Sequence, residues 1–331
     1  MENKNILVTG GAGYIGSHTC KLLAINGYRP IVVDNLYRGH RQFVKWGPLE
    51  VGDIRSRDFM EGVFKKYQPE AVIHFAGLAY VEESIEKENL YFDVNVNGTE
   101  NILSVMKGCG CKKIIFSSSC AVYGEVTDGL SENTTRNPIN PYGESKKRAE
   151  DLIERANDDW DLRYVVLRYF NAVGADPDGE IGEFHVPETH LFPRLLESLS
   201  TGQVFNIYGN DYKTVDGTCV RDFVHVMDLA LGHIAALKHI ESDKNSIIIN
   251  LGTGCGVSIL ELIRVAESVT NSQLKISFLS RRNGDPSSLV AIPRLAKSCL
   301  GWVPIYSLED KIHHAWIWLK KMQALRNNGF K

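Results

Sequence analysis

Tyr142 and Lys146 stand four residues apart in "YGESK". On a helix that spacing puts a phenol and an ammonium on one face, about one turn apart. A phenol has a reference pKa near ~10 and is a poor base at neutral pH, so a nearby cation that favours the phenolate would let the pair take a proton from an alcohol. A tyrosine packed against an aliphatic lysine stem is the plain structural alternative. Upstream, Ser117, Ser118 and Ser119 close the apolar run "KKIIFSSS". That places hydroxyls at the carboxyl end of a buried strand, where open α/β sheets bind ligands.

A second chemical feature opens the chain. "ILVTGGAGYIGSH" breaks an apolar run into Gly10-x-x-Gly13-x-x-Gly16. A glycine-rich turn between strand and helix lets the backbone approach a phosphate, and the helix start offers free N–H groups and partial positive charge. Asp34 ends the next apolar run, 18 residues past Gly16. An acid there accepts hydrogen bonds from an adenosine ribose and repels a 2′-phosphate, which favours NAD over NADP. Arg38 and Arg41 lie close by and argue the other way.

These groups need a frame. "ILVTG", "PIVVDN", "AVIHFAG", "KKIIFSSS" and "YVVLRYFN" are apolar runs bounded by Gly, Asp and Ser, separated by helical patterns. Such runs predict strands buried on both faces, hence a doubly wound parallel α/β sheet of Rossmann type. Between the first two, Ile15, Cys20, Leu22, Leu23 and Ile25 recur at helical spacing, and Gly27 is placed to end the helix. Past residue 171 the pattern loosens. We expect a dinucleotide-binding domain over 1–170 and a smaller C-terminal α/β substrate domain over 171–331, with some chain crossing back.

Composition narrows the classes. The 331 residues are 44% hydrophobic with a formal net charge of −3, which fits one or two ordinary folded domains and gives no sign of a nucleic-acid partner. No stretch approaches ~18 uncharged apolar residues, and "MENKN" lacks a signal-peptide apolar region, so a cytoplasmic, membrane-free protein is expected. The seven cysteines include no Cys-x-x-Cys pair, and Cys109-x-Cys111 has no partner at zinc-like spacing. Reduced thiols and no metal are the reading.

The glycine spacing with "PYGESK" resembles the extended short-chain dehydrogenase/reductase superfamily. "VTGGAGYIGSH", "VIHFAGLAYVEES", "NVNGT", "FSSSCAVYG", "PYGESK", "LRYFNAVGA", "YGNDYKTVDGTCVRDFVHVMDLA", "NLGTG" and "RRNGD" are similar, in order and separation, to motifs of the UDP-glucose 4-epimerase family across essentially the whole chain. The resemblance implies NAD as a bound prosthetic group, a UDP-sugar substrate and C4 epimerisation through a transient 4-keto sugar, with a homodimer as the assembly. Ser119, Tyr142 and Lys146 are then catalytic. Cofactor contacts would fall on Gly10, Gly13, Tyr14, Ile15, Gly16, Asp34, Asn35, Asp53, Ile54, Phe75, Ala76, Gly77, Asn95, Tyr142, Lys146 and Phe170. Substrate contacts would fall on Ser119, Tyr142, Asn171, His190, Leu191, Ile207, Tyr208, Arg221, Arg282, Asp285 and Leu289.

Related dehydratases carry Asp-Glu after the catalytic hydroxyl, whereas this chain has Cys120 and Ala121, which disfavours elimination. Ala79, Val94 and His190 depart from the family pattern, with a structural hydrogen bond the alternative for His190. Arg221 beside Asp222, and Arg281 beside Arg282, have plain structural readings as an ion pair and a solvated surface pair. Leu289 is intermediate in bulk between the residues that exclude and admit N-acetylated sugars. UDP-glucose and UDP-galactose are the expected pair. The alternatives are UDP-N-acetylhexosamines or UDP-pentoses, then another nucleotide-sugar oxidoreductase or dehydratase, and last a non-catalytic dinucleotide sensor.

Overall fold

The computed structural model describes residues 4–125, 129–242, 244–282 and 285–327. The five apolar runs form β1 (Asn5–Thr9), β2 (Arg29–Asp34), β4 (Ala71–His74), β5 (Lys113–Ser119) and β6 (Arg163–Tyr169). With β3 (Leu49–Val51) and β10 (Ile247–Leu251) they make a seven-stranded sheet ordered β10-β6-β5-β4-β1-β2-β3, parallel throughout. The period-2 alternation of strand side chains divides the interior. Ile6, Val8, Val32, Ile73 and Leu167 face one core with Leu23 of α1 (Tyr14–Ile25) and Leu229 and Ile234 of α8 (Val226–Glu241). Leu7, Val33, Val72, Ile114 and Val166 face the other, against α2 (Arg57–Tyr67), α5 (Gly98–Cys109) and α6 (Pro141–Trp160). Each such fully buried aliphatic side chain contributes ~1.5–3 kcal/mol.

The sheet is the doubly wound one expected, and two of its strands were not read as such. β3 has three residues and no apolar run to announce it. β10 lies far along the chain yet pairs with β6, and α8 packs on α1, so chain beyond residue 171 completes the first sheet. Ile25 was placed on the apolar face of α1 but is 66% exposed, because the helix ends there. Gly27, at φ +79°, then turns the chain.

The remaining elements gather beside this sheet. The short helices α3 (Val81–Glu86) and α4 (Glu88–Phe92) lie on its α6 side. β9 (Val220–His225) pairs in parallel with β7 (Asn171–Val173) and β13 (Ser288–Leu289), and antiparallel with β11 (Gly256–Ser258). β8 (Val204–Tyr208) pairs with β12 (Lys275–Leu279). A third core joins Phe192 and Leu195 of α7 (Leu191–Thr201) to Ile207, Phe223, Leu262 of α9 (Ile259–Thr270) and Ile312 of α11 (Leu308–Asn327). α10 (Arg294–Leu300) packs on α8. Among the described residues no helix is long and apolar enough to cross a membrane, and all seven cysteines are free thiols.

Candidate active site

The glycine turn caps β1. Gly10 adopts φ +71°, and a Cβ there would lie 2.6 Å from the Ala76 nitrogen, so the turn sits directly on the end of β4. A Cβ on Gly16 would lie 2.3 Å from the Gly10 carbonyl oxygen, which lets α1 begin against the turn itself. Gly13 is the N-cap of α1 and supplies no side-chain cap. The result is a concave backbone surface beneath a helix start, with the room and polarity for a pyrophosphate. Beneath it, Asp34 is buried and accepts hydrogen bonds from the Ala12 N–H (3.1 Å) and the Leu36 N–H (2.8 Å), while burial raises its pKa.

Arg38 bears on cofactor choice. Its Nη2 donates to Glu83 (2.8 Å), and its guanidinium lies 4.0 Å over the Tyr80 ring. Engaged on both sides, Arg38 is drawn away from a 2′-phosphate, which together with Asp34 fits NAD. Nearby, Asn35 donates to Asp53, whose carboxylate also takes three hydrogen bonds from Arg55 and is held well below its usual pKa by them. The Ile54 side chain is buried under Gly98, and Phe75 packs on His233. Asn95 is buried and engaged through its amide. Its Oδ1 accepts from the Leu78 N–H, and its two Nδ2 hydrogens go to the Leu78 carbonyl and Ser145 Oγ. It ties the Gly77–Leu78 loop to α6. Tyr14 likewise spends its hydroxyl on the Gly174 carbonyl (2.6 Å), fastening the turn to the segment after β7.

α6 delivers the phenol and ammonium. Asn140 caps it by accepting from the Gly143 N–H (2.9 Å), and Pro141 occupies its first turn. A Cβ on Gly143 would lie 2.4 Å from the Ala121 carbonyl oxygen, so only glycine lets the helix start this close to the end of β5. That approach brings the Tyr142 phenol near Ser119, close enough for the serine to favour its ionised form. One turn on, Lys146 is buried and donates to the Ser117 carbonyl (2.9 Å), its Nζ 5.0 Å from the centroid of Phe116. Behind it Glu150 is fully buried and paired with Arg168 and Arg136.

Burial governs the electrostatics of the chain alone. It pushes the Tyr142 phenol up to about 12 against the favourable effect of Ser119, and it lowers Lys146 to about 8.

On the opposite side, Arg221 of β9 is buried. It forms a tight ion pair with Asp285 and also donates to the Val220 carbonyl (2.8 Å). It does not pair with Asp222, whose carboxylate instead takes the N–H groups of Thr253, Gly254 and Ala291. Leu289 sits in register with Arg221 on β13, and the Arg221 charge acts on Cys120, next to Ser119. Arg282 lies 4.1 Å over the Tyr208 ring and 3.3 Å from Glu82, whereas Arg281 pairs with Asp211. Of the "RRNGD" stretch, Asn283 and Gly284 lie outside the described residues. Asn171 is exposed on β7, Ile207 is buried on β8, and Leu191 opens α7. Phe170 is buried beside Gly252.

His190 makes the structural hydrogen bond given as its alternative: its Nδ1 is bonded to Glu183 in a cluster with His185 and Glu188. The motif Glu183-x-His185-x-x-Glu188-x-His190 brings these side chains together, and no cysteine spacing announces it.

The sequence profile of the NAD dependent epimerase/dehydratase family matches residues 6–252. The chain is 46% identical to the UDP-glucose 4-epimerase of Rhizobium leguminosarum bv. trifolii, over 97% of this chain and 99% of that protein. The solved UDP-glucose 4-epimerase of Brucella ovis in complex with NAD superposes with a TM-score of 0.92 at 46% identity, covering 95% of this chain and 97% of that one. The enzyme of Stenotrophomonas maltophila with bound NAD and formylated UDP-arabinopyranose gives 0.95 at 36% identity, covering 98% and 100%.

Proposed function

The chain belongs to the NAD dependent epimerase/dehydratase family and catalyses NAD-dependent epimerisation at C4 of a UDP-hexose, and we propose that Ser119, Tyr142 and Lys146 carry the chemistry. The observation that supports this most directly is the close approach of the α6 start to the end of β5, which gathers Tyr142, Lys146 and Ser119 at one place. The Gly10–Gly16 turn and Asp34 would hold NAD, with Phe75 and Phe170 as apolar neighbours and Lys146 beside the reacting groups. When bound, it supplies a hydride acceptor and donor at the sugar carbon and a positive charge.

Ser119 and Tyr142 present two hydroxyls to the sugar O4. The C4 hydroxyl proton passes to the Tyr142 oxygen as the alcohol becomes a ketone, and it returns to O4 when the ketone is reduced on its other face. Burial keeps Tyr142 neutral in the chain alone, so positive charge at this spot makes the phenol a usable base. Lys146, fixed by the Ser117 carbonyl, holds one such charge nearby.

The UDP pyrophosphate carries about two negative charges and suits guanidinium donors. Arg221 and Arg282 take it, Asp285 and the Tyr208 face take the uridine ribose and base, and Asn171, Leu191, Ile207 and Leu289 line the walls. Leu289 points to UDP-glucose and UDP-galactose as the main pair. The functional division of the chain falls between the seven-stranded sheet with α8 and β10 on one side and the remaining elements after residue 171 on the other. A homodimer is the assembly implied by the resemblance, and sedimentation of the pure protein measures it. The decisive assay incubates pure protein with UDP-galactose and no added cofactor. UDP-glucose accumulates if the reading holds, whereas an unchanged sugar even with NAD supplied defeats it.

A further inference from the structure

The strap between β7 and α7 carries four donors within eight residues: Glu183, His185, Glu188 and His190. One ligand atom from each lies within 4.8 Å of all the others. His185 Nδ1 is 3.6 Å from a Glu183 oxygen and 3.4 Å from a Glu188 oxygen. Donors at the corners of a tetrahedron around zinc, with bonds of ~2.0–2.1 Å, stand about 3.3 Å apart, so both separations are close to that edge length. The third contact, His190 to Glu183, is a tight hydrogen bond along an edge that an ion would open.

Three observations separate this cluster from ordinary surface charge. The Glu183 and His185 side chains are only 6% and 13% exposed, and His185 Nδ1 is buried without a hydrogen-bond partner. A buried ring nitrogen that faces two carboxylates yet hydrogen-bonds neither calls for an explanation. Among the described residues, the ion-pair partners of Glu183 and Glu188 are these two histidines. The neighbouring cluster Asp176, Asp178 and Glu180 is the contrast, because Lys21 Nζ sits 2.8–2.9 Å from all three and already fills the place of a cation.

We propose that Glu183, His185, Glu188 and His190 form a binding site for one divalent transition-metal ion, zinc by donor preference, that clamps the strap over the cleft. Two imidazoles and two carboxylates suit zinc, and two buried carboxylates balance its charge. The strap is already tied at two points: His40 Nε2 bonds the Phe184 carbonyl (2.9 Å) and Trp318 donates to the Glu183 carbonyl (2.8 Å). Tyr80, from the loop after β4, packs edge-on against both histidine rings, at centroid distances of 5.7 and 5.2 Å. An ion between the four donors therefore stiffens the strap where its histidine rings meet Tyr80.

The test uses the NAD-loaded enzyme, dialysed against a chelator and titrated with cobalt(II), then zinc(II). The expected result is about one equivalent of cobalt with visible d–d bands and no thiolate charge-transfer band, displaced by zinc. His190→Gln and Glu188→Gln each lose those bands while keeping bound NAD and the native circular dichroism. Absence of the bands, their persistence in both variants, or a thiolate band in their place overturns the site. Should the variants fail to fold, crystals of the unmutated enzyme grown with zinc decide: an anomalous peak between the four side chains supports the assignment, and no peak there refutes it.

Discussion

The two sides of the cleft are built on different principles. The dinucleotide side is backbone: Gly10 and Gly16 are pressed to within sub-van der Waals reach of any added Cβ, and Asp34 is locked by two N–H groups. The side proposed for the sugar nucleotide is side chain: Arg221 is engaged with Asp285, and Arg282 rests on Tyr208 and near Glu82. A backbone cradle has one shape and holds a permanent cofactor. Paired side chains can exchange partners, which suits a substrate that must come and go. Tyr142, Ser119 and Lys146 lie on the seam between the two.

The largest effect is expected at that seam. Tyr142→Phe removes one oxygen from a buried ring and leaves the packing intact. It is expected to cut kcat by ~10²–10⁴-fold with unchanged far-ultraviolet circular dichroism and NAD content. Near-normal turnover would falsify the base assignment. Next comes Arg221→Met, which removes a charge-assisted contact worth ~1.5–3 kcal/mol. The KM for UDP-galactose should rise about ten- to hundredfold while bound NAD is unchanged. If NAD content falls with it, the two sides are not separable in the way drawn here.

How much of this was open to a reader of the sequence follows the same division. Gly10, Gly13, Gly16 and Asp34 were legible because backbone constraints leave fixed residue types at fixed spacing. Tyr142 and Lys146 were legible because a helix turns spacing into proximity. Local spacing alone does not give the Arg221–Asp285 pair, since its members are 64 residues apart and meet only through β9 and β13. β10 was hidden for a related reason, its place beside β6 being fixed by a crossover. The ties of Asn95 to Leu78 were hidden because an amide's partners are set by the loop it meets. The upward shift of Tyr142 in the chain alone was hidden because burial, which opposes charge on the phenol, has no local signature in sequence.

Gly16→Ala probes the backbone side directly. Its Cβ would meet the Gly10 oxygen at 2.3 Å, so the turn or α1 must shift. Overpacking of this kind costs ~1–3 kcal/mol, and it deforms the surface that receives the pyrophosphate. A lowered Tm and substoichiometric NAD in the purified variant are expected. A variant that retains full NAD and unchanged Tm shows the cradle to be softer than its geometry indicates.

The smallest effect expected is a pH dependence located at Lys146. Burial lowers its pKa to about 8 from the usual 10.5. Below about pH 8 the folded and unfolded chains both carry the proton, so this residue adds no slope. Between pH 8 and 10.5 the unfolded chain still binds a proton that the folded chain has released. Stability therefore rises with pH in that window through this group, by on the order of a kcal/mol. Other buried groups titrate there too, Tyr142 among them with the opposite sign, since its folded pKa is raised. The contribution is isolated by comparing cofactor-free unmutated protein with Lys146→Met in denaturant titrations from pH 7 to 10. The difference in unfolding free energy should grow in favour of the lysine as pH increases. A flat difference would mean that the Ser117 carbonyl and the surrounding dipoles solvate the ammonium as well as water does, which would make the seam as preorganised as the glycine cradle beside it.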